Sequence, residues 1–273
     1  MGRRLFCELG PWAYWLSVRR CRLQRRLQDA GAGIQFARTR LPGQPLPCRV
    51  YRASSLICRT LGQVDTRLQQ NKRVNLALTA PRLNGVLIRP GETLSFWRLA
   101  GPCTAKRGYL EGLVIKQGRP DSDIGGGMCQ MTNLIHWLVL HAPLTITEHH
   151  HHDGVDLFPD HGRRVPFGTG TSIFYNYLDY RVKNETQDTY QLLIWLEGGY
   201  LKGELRASAL PQVRFHVRMQ DEHFVREEGQ VYRCGRVIRT AVDRRTGCTV
   251  ERQVIKENHA QVLYDTSGLE IQQ

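Results

Sequence analysis

The amino-acid sequence predicts an α+β fold with a basic N-terminal helix, a buried central helix after a glycine-rich turn, and mainly antiparallel sheet toward the C-terminus. Residues 11–30 carry apolar side chains at helical spacing, and residues 134–141 follow a glycine-rich turn and are apolar on nearly every side. Residues 200–264 form runs typical of antiparallel strands, separated by polar turns. We therefore expect residues 1–47 to form a basic helical segment and linker, and residues 48–273 to form a single α+β domain.

The positive charge of the chain is concentrated near its N-terminus. The formal net charge is +13, and residues 1–75 contain fifteen Lys and Arg against three Asp and Glu, a difference of +12. Hydrophobic residues make up 41% of the chain, which is typical of a globular protein and excludes a wholly disordered one. No apolar stretch is long enough to span a membrane. Residues 10–18 are too short for the apolar part of an export signal and contain Pro11 and two Trp, so we expect a cytoplasmic protein.

The N-terminal helix combines this charge with large apolar side chains. Pro11 is suited to its first turn, and several Arg fall between the apolar positions. Such a helix can lie on an anionic membrane surface, here the inner face, or it can pack on the domain with its Arg in water. No nucleic-acid-binding motif accompanies the charge, so we expect no nucleic-acid partner. Its apolar positions are Trp12, Trp15, Leu16, Leu23 and Leu27.

The elements between the two helices follow from shorter signals. Residues 54–67 predict a second helix, and residues 75–118 predict strands and turns that include the apolar run 113–115. Strands are also predicted over residues 144–148, 172–183 and 189–197.

The glycine-rich turn before the central helix is the first candidate site. Gly125, Gly126 and Gly127 place Cys129 near the first turn of the helix, where unpaired backbone N–H groups favour an anion. A thiol in this position loses its proton more easily and becomes a better nucleophile. Two alternatives remain: a buried thiol under a turn that serves packing, and a pocket in which the three glycines, Gln130 and Thr132 bind a ligand such as the carboxylate of a peptide.

The histidine run that follows offers a base for this nucleophile. His150 and His152 would point to one face of a strand, and Asp179 could orient the imidazole of either. Gln130 and backbone N–H groups could hold an oxyanion. Two of these imidazoles with Cys129 or another ligand could instead bind zinc, but no second ligand pair has standard spacing, so we expect neither a metal nor a cofactor.

Four segments together resemble the VanW family. They are residues 83–99, residues 125–134, residues 140–152 and residues 178–184. The resemblance implies a bacterial protein linked to glycopeptide resistance and the cell envelope, but it implies no reaction. His149 and His151 depart from the family pattern, so the resemblance selects His150 and His152 as the pair.

Two functions follow from these observations. In one, the protein is a cysteine-dependent hydrolase or transferase that acts on peptidoglycan-type peptides or precursors. In the other, it is a non-catalytic accessory or binding protein with a glycine-rich ligand pocket and a helix that docks on the membrane.

Overall fold

The fold combines helices with mostly antiparallel sheets, which confirms the predicted α+β class. The computed structural model describes residues 6–58, 66–116, 119–151, 154–157, 159, 165–175 and 177–272. Within these residues the α-helices are α1 (Pro11–Gly31), α2 (Thr66–Leu83), α3 (Phe96–Ala100) and α4 (Met128–Val139).

The described residues also form fourteen strands in four sheets. The strands are β1 (Cys48–Leu56), β2 (Val86–Ile88), β3 (Thr93–Ser95), β4 (Glu111–Lys116), β5 (Arg119–Ile124), β6 (Thr145–Glu148), β7 (Val155–Asp156), β8 (Arg181–Lys183), β9 (Tyr190–Glu197), β10 (Tyr200–Ala207), β11 (Val213–Glu227), β12 (Gln230–Asp243), β13 (Thr249–Val262) and β14 (Ile271–Gln272). The four sheets have the strand orders β1-β10-β9-β2, β14-β11-β12-β13-β7, β3-β8-β6 and β4-β5.

The main core lies between α4 and the sheet that contains β1 and β10. Leu134 and Leu138 of α4 pack against Gly203 of β10, where a Cβ would come within 2.9 Å of Leu138 Cδ1. The missing side chain at Gly203 therefore lets the helix approach the sheet closely. Trp137 and Leu140 face a smaller second core with β11 and β12.

Several sequence predictions are confirmed. The basic helix, the buried central helix, the strand that includes residues 113–115 and the C-terminal antiparallel strands are all present. The strands predicted over residues 144–148 and 189–197 correspond to β6 and β9.

The predicted second helix is wrong. Residues 54–56 are the end of β1, which pairs with β10, and residues 59–65 lie outside the described residues. The helix of this region is α2, which begins at Thr66 and continues through residues predicted as strand and turn. The helical signal was present in Leu76, Ala80 and Leu83, which are buried at the spacing of one helix face.

The long strand predicted over residues 172–183 is also wrong for most of its length. Among the described residues of this range, only Arg181–Lys183 forms a strand, and those before it lie in a loop closed by a bridge between Phe174 and Leu178. Aromatic and β-branched content is a weak signal here because the same side chains pack well in a loop that covers the core. Among the described residues, no helix is both long and apolar enough to cross a membrane.

Candidate functional site

The glycine-rich turn is filled by its own neighbours. Gly127 has a φ of +105° at the start of α4, a backbone conformation that favours glycine. A Cβ on any of the three glycines would come within 2.2–2.3 Å of another part of the chain. The closest atoms are Cys103 Cβ at Gly125, the carbonyl of Gly112 at Gly126, and Lys72 Cγ at Gly127. This geometry supports a packing role for the turn rather than a ligand pocket.

Cys129 lies in the first turn of α4, as the sequence predicts. Burial raises the pKa of its thiol, although a hydrogen bond from the backbone of Ile173 acts in the opposite direction. The residue is partly exposed, and burial is still the largest influence on the pKa of its thiol. Burial therefore opposes the thiolate that a nucleophile requires.

The predicted base has a different partner. His150 Nε2 lies 3.0 Å from Glu148 Oε1, and β6 ends at Glu148, so the histidine run follows the strand rather than continuing it. Burial and the nearby Arg25 lower the pKa of His150. No hydrogen bond between described residues joins His150 to Cys129, and His152 lies outside the described residues. The pairing of Cys129 with His150 or His152 as nucleophile and base stays a prediction.

Asp179 is fully occupied by donors that are not histidines. Its carboxylate accepts hydrogen bonds from Ser95 Oγ (2.5 Å), the backbone N–H groups of Trp97 (3.0 Å) and Tyr180 (2.9 Å), and Arg181 Nε (2.9 Å). These bonds tie the start of α3 to β8. The carboxylate next to His150 is Glu148, whose Oε1 also accepts the N–H of Asp179 at 2.8 Å.

Gln130 and Thr132 connect α4 to neighbouring segments. Gln130 Nε2 donates to Ser55 Oγ and to the carbonyl of Leu56, each at 2.8 Å. Thr132 Oγ1 shares a hydrogen bond with Thr171 Oγ1. In this arrangement both side chains serve packing, and their predicted ligand-binding role stays untested.

A buried charge cluster attaches α1 to the rest of the chain, and sequence analysis did not identify it. Asp29 Oδ1 and Oδ2 accept hydrogen bonds from Arg181 at 2.6 and 2.9 Å, and Oδ2 also accepts one from Arg98 at 3.0 Å. Arg25 pairs with Glu148. We call this set the Asp29 cluster; its members are Arg25, Asp29, Arg98, Glu148, Asp179 and Arg181, three cations and three anions.

The arginines of the Asp29 cluster stabilise the charged form of Asp29. Burial by itself would raise the pKa of Asp29, but the hydrogen bonds from Arg181 and Arg98 outweigh it and lower the pKa. The sequence held one signal of this role: Asp29 is the only acidic residue between Glu8 and Asp65.

Helix α1 presents its apolar side to the solvent. Its five large apolar positions are each between 47% and 65% exposed, whereas Asp29 is buried and Arg22 donates to the carbonyl of Tyr175 at 3.3 Å. The side that carries Ala13, Arg22, Arg25 and Asp29 therefore faces the protein. We call the five exposed side chains the apolar stripe; they are Trp12, Trp15, Leu16, Leu23 and Leu27.

A second histidine cluster lies beside α4. His136 Nδ1 is 3.1 Å from Tyr180 Oη, its ring is 4.2 Å from that of His149, and the ring of His149 is 3.9 Å from that of His151. Burial lowers the pKa of His149 to about 4. Within the part of the chain that the structure describes, no group of three or more His, Cys, Asp or Glu could hold a metal ion.

Comparison with known proteins adds a family relationship. The family model described as "VanW like protein" matches residues 71–206. The vancomycin B-type resistance protein VanW of Enterococcus faecalis is 36% identical over 232 residues, which cover 85% of this chain and 84% of that protein. The uncharacterized protein YoaR of Bacillus subtilis is 27% identical over 131 residues, 46% of this chain and 40% of that protein. No solved structure matches the chain.

Proposed function

Since the chain belongs to the VanW family, we propose that it is a non-catalytic accessory protein of glycopeptide resistance that works at the anionic inner face of the bacterial membrane. The observation that carries this proposal is the exposure of the apolar stripe of α1. The name of the E. faecalis relative, a vancomycin B-type resistance protein, supports the link to resistance.

The apolar stripe has the geometry of a helix that lies in a membrane surface. Trp12, Leu16, Leu23 and Leu27 follow one another at spacings of four, seven and four residues, which places them along one face. A helix of 21 residues is about 30 Å long. Trp and Leu on one face of such a helix insert into the boundary between headgroups and acyl chains.

The charges on and beside the stripe favour an anionic surface. Arg19 and Arg26 are exposed on the same helical face as the stripe, Arg20 is exposed at its edge, and the guanidinium of Arg19 lies 3.9 Å from the ring centre of Trp15. Each basic side chain near an anionic surface contributes about 1 kcal/mol of attraction. A protein partner would also cover the stripe, but these Arg favour phospholipid headgroups.

Docking would leave the attachment of α1 intact. The helix is held through Arg22, Arg25 and Asp29 on its other side, so the stripe can enter lipid without breaking the Asp29 cluster. The helix therefore needs no rearrangement before it binds.

Vesicle binding tests the docking. We expect the full chain to bind vesicles that contain phosphatidylglycerol more tightly than vesicles of phosphatidylcholine alone, and salt to weaken this binding. Burying a leucine contributes up to about 1.5–3 kcal/mol, so Leu23→Gln with Leu27→Gln should weaken binding at least tenfold. Leu210→Gln with Leu263→Gln is the matched control, because these two leucines are about as exposed but lie outside α1.

Two results would contradict the proposed docking: no preference for anionic vesicles, or an equal loss of vesicle binding in the control variant.

The resistance link is tested by growth of a vancomycin-resistant bacterium that encodes this chain. Deletion of the gene should lower the inhibitory concentration of vancomycin, and the α1 variant should restore it less than the control variant does. An unchanged inhibitory concentration after deletion would contradict the link.

A cysteine-dependent hydrolase or transferase of peptidoglycan-type peptides is the competing function. The raised pKa of Cys129 weighs against it, and iodoacetamide labelling separates the two functions. We expect Cys129 to react more slowly than the exposed Cys58 and Cys248. If Cys129 reacted fastest and His150→Ala slowed that reaction, the enzyme function would replace the accessory one.

A further inference from the structure

A cleft with a volume of about 600 Å³ opens beside the C-terminal end of α2 and α3. Four arginines line it: Arg38 and Arg40 from the segment after α1, Arg82 from α2, and Arg98 from α3. Phe36 and Leu99 form its apolar part. Its volume is typical of a site for a small molecule.

Most of the positive charge in this cleft is not neutralised by the protein. Among the described residues, only Arg98 has a carboxylate partner, Asp29 at 3.0 Å. Arg40 donates to the carbonyl of Pro81 and Arg82 to that of Ala100, each at 3.0 Å, and a carbonyl orients a guanidinium without cancelling its charge. Arg38 has no hydrogen bond or ion pair with any described residue.

Three of the four guanidinium groups are held in place before any ligand arrives. Arg40 and Arg82 are held by the carbonyls, and the Arg98 guanidinium carbon lies 3.8 Å from the ring centre of Phe36. Each guanidinium has five N–H donors, so all of them retain donors for a ligand. Placing four arginines around one cleft with a carboxylate partner for Arg98 alone among them costs electrostatic energy, which an anion would recover.

We infer that this cleft binds a ligand through a phosphate or diphosphate group. Three uncompensated positive charges exceed what one carboxylate would balance, whereas a phosphate ester brings two negative charges and oxygens that match the fork of each guanidinium. Phe36 and Leu99 would contact the organic part of the ligand. The inference goes beyond the proposed docking and does not depend on it, because the cleft does not include the apolar stripe.

Calorimetric titration of the full chain with inorganic pyrophosphate, and separately with glycerol 1-phosphate, tests the site. We expect saturable one-to-one binding of pyrophosphate. Arg38→Gln should weaken this binding about tenfold, because the variant loses a charge-assisted hydrogen-bond donor to the anion. Arg38 is exposed and has no hydrogen bond or ion pair with another described residue, so this variant should keep the stability of the fold.

The matched control removes the same type of charge elsewhere. Arg244 and Arg245 lie exposed in the turn between β12 and β13, so Arg245→Gln should change pyrophosphate affinity less than about twofold. An equal loss in Arg38→Gln and Arg245→Gln would overturn the inference, because it would indicate diffuse attraction. The absence of saturable binding of pyrophosphate would also overturn it.

Two further measurements distinguish a soluble phosphate ester from a lipid headgroup as the source of the phosphate. Binding of glycerol 1-phosphate in solution that is lost in Arg38→Gln indicates a soluble phosphate ester. If glycerol 1-phosphate does not bind but Arg38→Gln weakens binding to phosphatidylglycerol vesicles, the source is a lipid headgroup. The variant with Leu23→Gln and Leu27→Gln should lose vesicle binding and keep pyrophosphate binding, so failure of either proposal leaves the other testable.

Discussion

Helices α1 and α4 differ in what covers their apolar side chains, although apolar residues identify both in the sequence. Nine of the twelve residues of α4 are buried, whereas only Ala13 and Asp29 are buried among the twenty-one of α1. Helix α4 is held by apolar packing against β1 and β10, and α1 is held by ion pairs on the side that faces the protein. Apolar periodicity thus predicts a helix but does not reveal whether the protein itself covers the apolar face.

The largest effect is expected from removing the central anion of the Asp29 cluster. Asp29→Ala leaves the buried guanidinium of Arg181 without two of its hydrogen bonds, and breaking such a buried pair costs about 3–5 kcal/mol. We expect a loss of this size in the free energy of unfolding by urea, and faster proteolysis within α1. Glu185→Ala is the control because it breaks an exposed pair with Lys183. An equal loss in both variants would show that ion pairs do not hold α1.

A matched pair of leucine substitutions compares the two helices directly. Leu138→Ala in α4 should lower the free energy of unfolding by about 2–5 kcal/mol, because it leaves a cavity in the main core. Leu23→Ala in α1 should change it by less than about 0.5 kcal/mol, because its side chain is in water in the free protein. Similar losses in the two variants would mean that the apolar stripe is packed on the protein in solution.

Stability should depend on pH in different ranges for the groups that surround α4 and those that attach α1. The pKa of His149, which contacts His136 of α4, is lowered from 6.5 to about 4. Between these values the unfolded chain binds a proton that the folded chain does not, so stability falls as the pH falls from 6.5 to about 4. The loss from this group is about 1–3 kcal/mol, and His149→Gln should flatten the slope. A slope unchanged in that variant would contradict the assignment.

The attachment of α1 should respond to pH in a different range. The lowered pKa of Asp29 means that its contribution is present above its ordinary pKa of 3.8 and is lost as the pH falls through the lower folded value. Urea unfolding and proteolysis within α1 should be measured as the pH is lowered from above 6.5 to below 3.8. The loss of stability from His149 should come first, and the release of α1 should come last.

Local patterns predicted much of the fold and little of the site. The sequence predicted α1, α4 and the C-terminal strands, because each has a long run with a clear period. It failed at residues 54–67 and 172–183, where short runs fit more than one structure. At the candidate site it located Cys129 at the start of a helix, but it did not identify Glu148 as the partner of His150, nor the Asp29 cluster.

The sequence by itself determined where the main helices and many of the strands form. It also determined that positive charge and large apolar side chains occur together in one N-terminal helix. Only the tertiary structure decided that this helix faces the protein with Arg22, Arg25 and Asp29, that the glycine-rich turn is filled by packing, and that four arginines line one cleft. The physical reason is distance along the chain. Helical and strand periods act between close neighbours, whereas burial and charge pairing join residues such as Asp29 and Arg181, which are 152 positions apart.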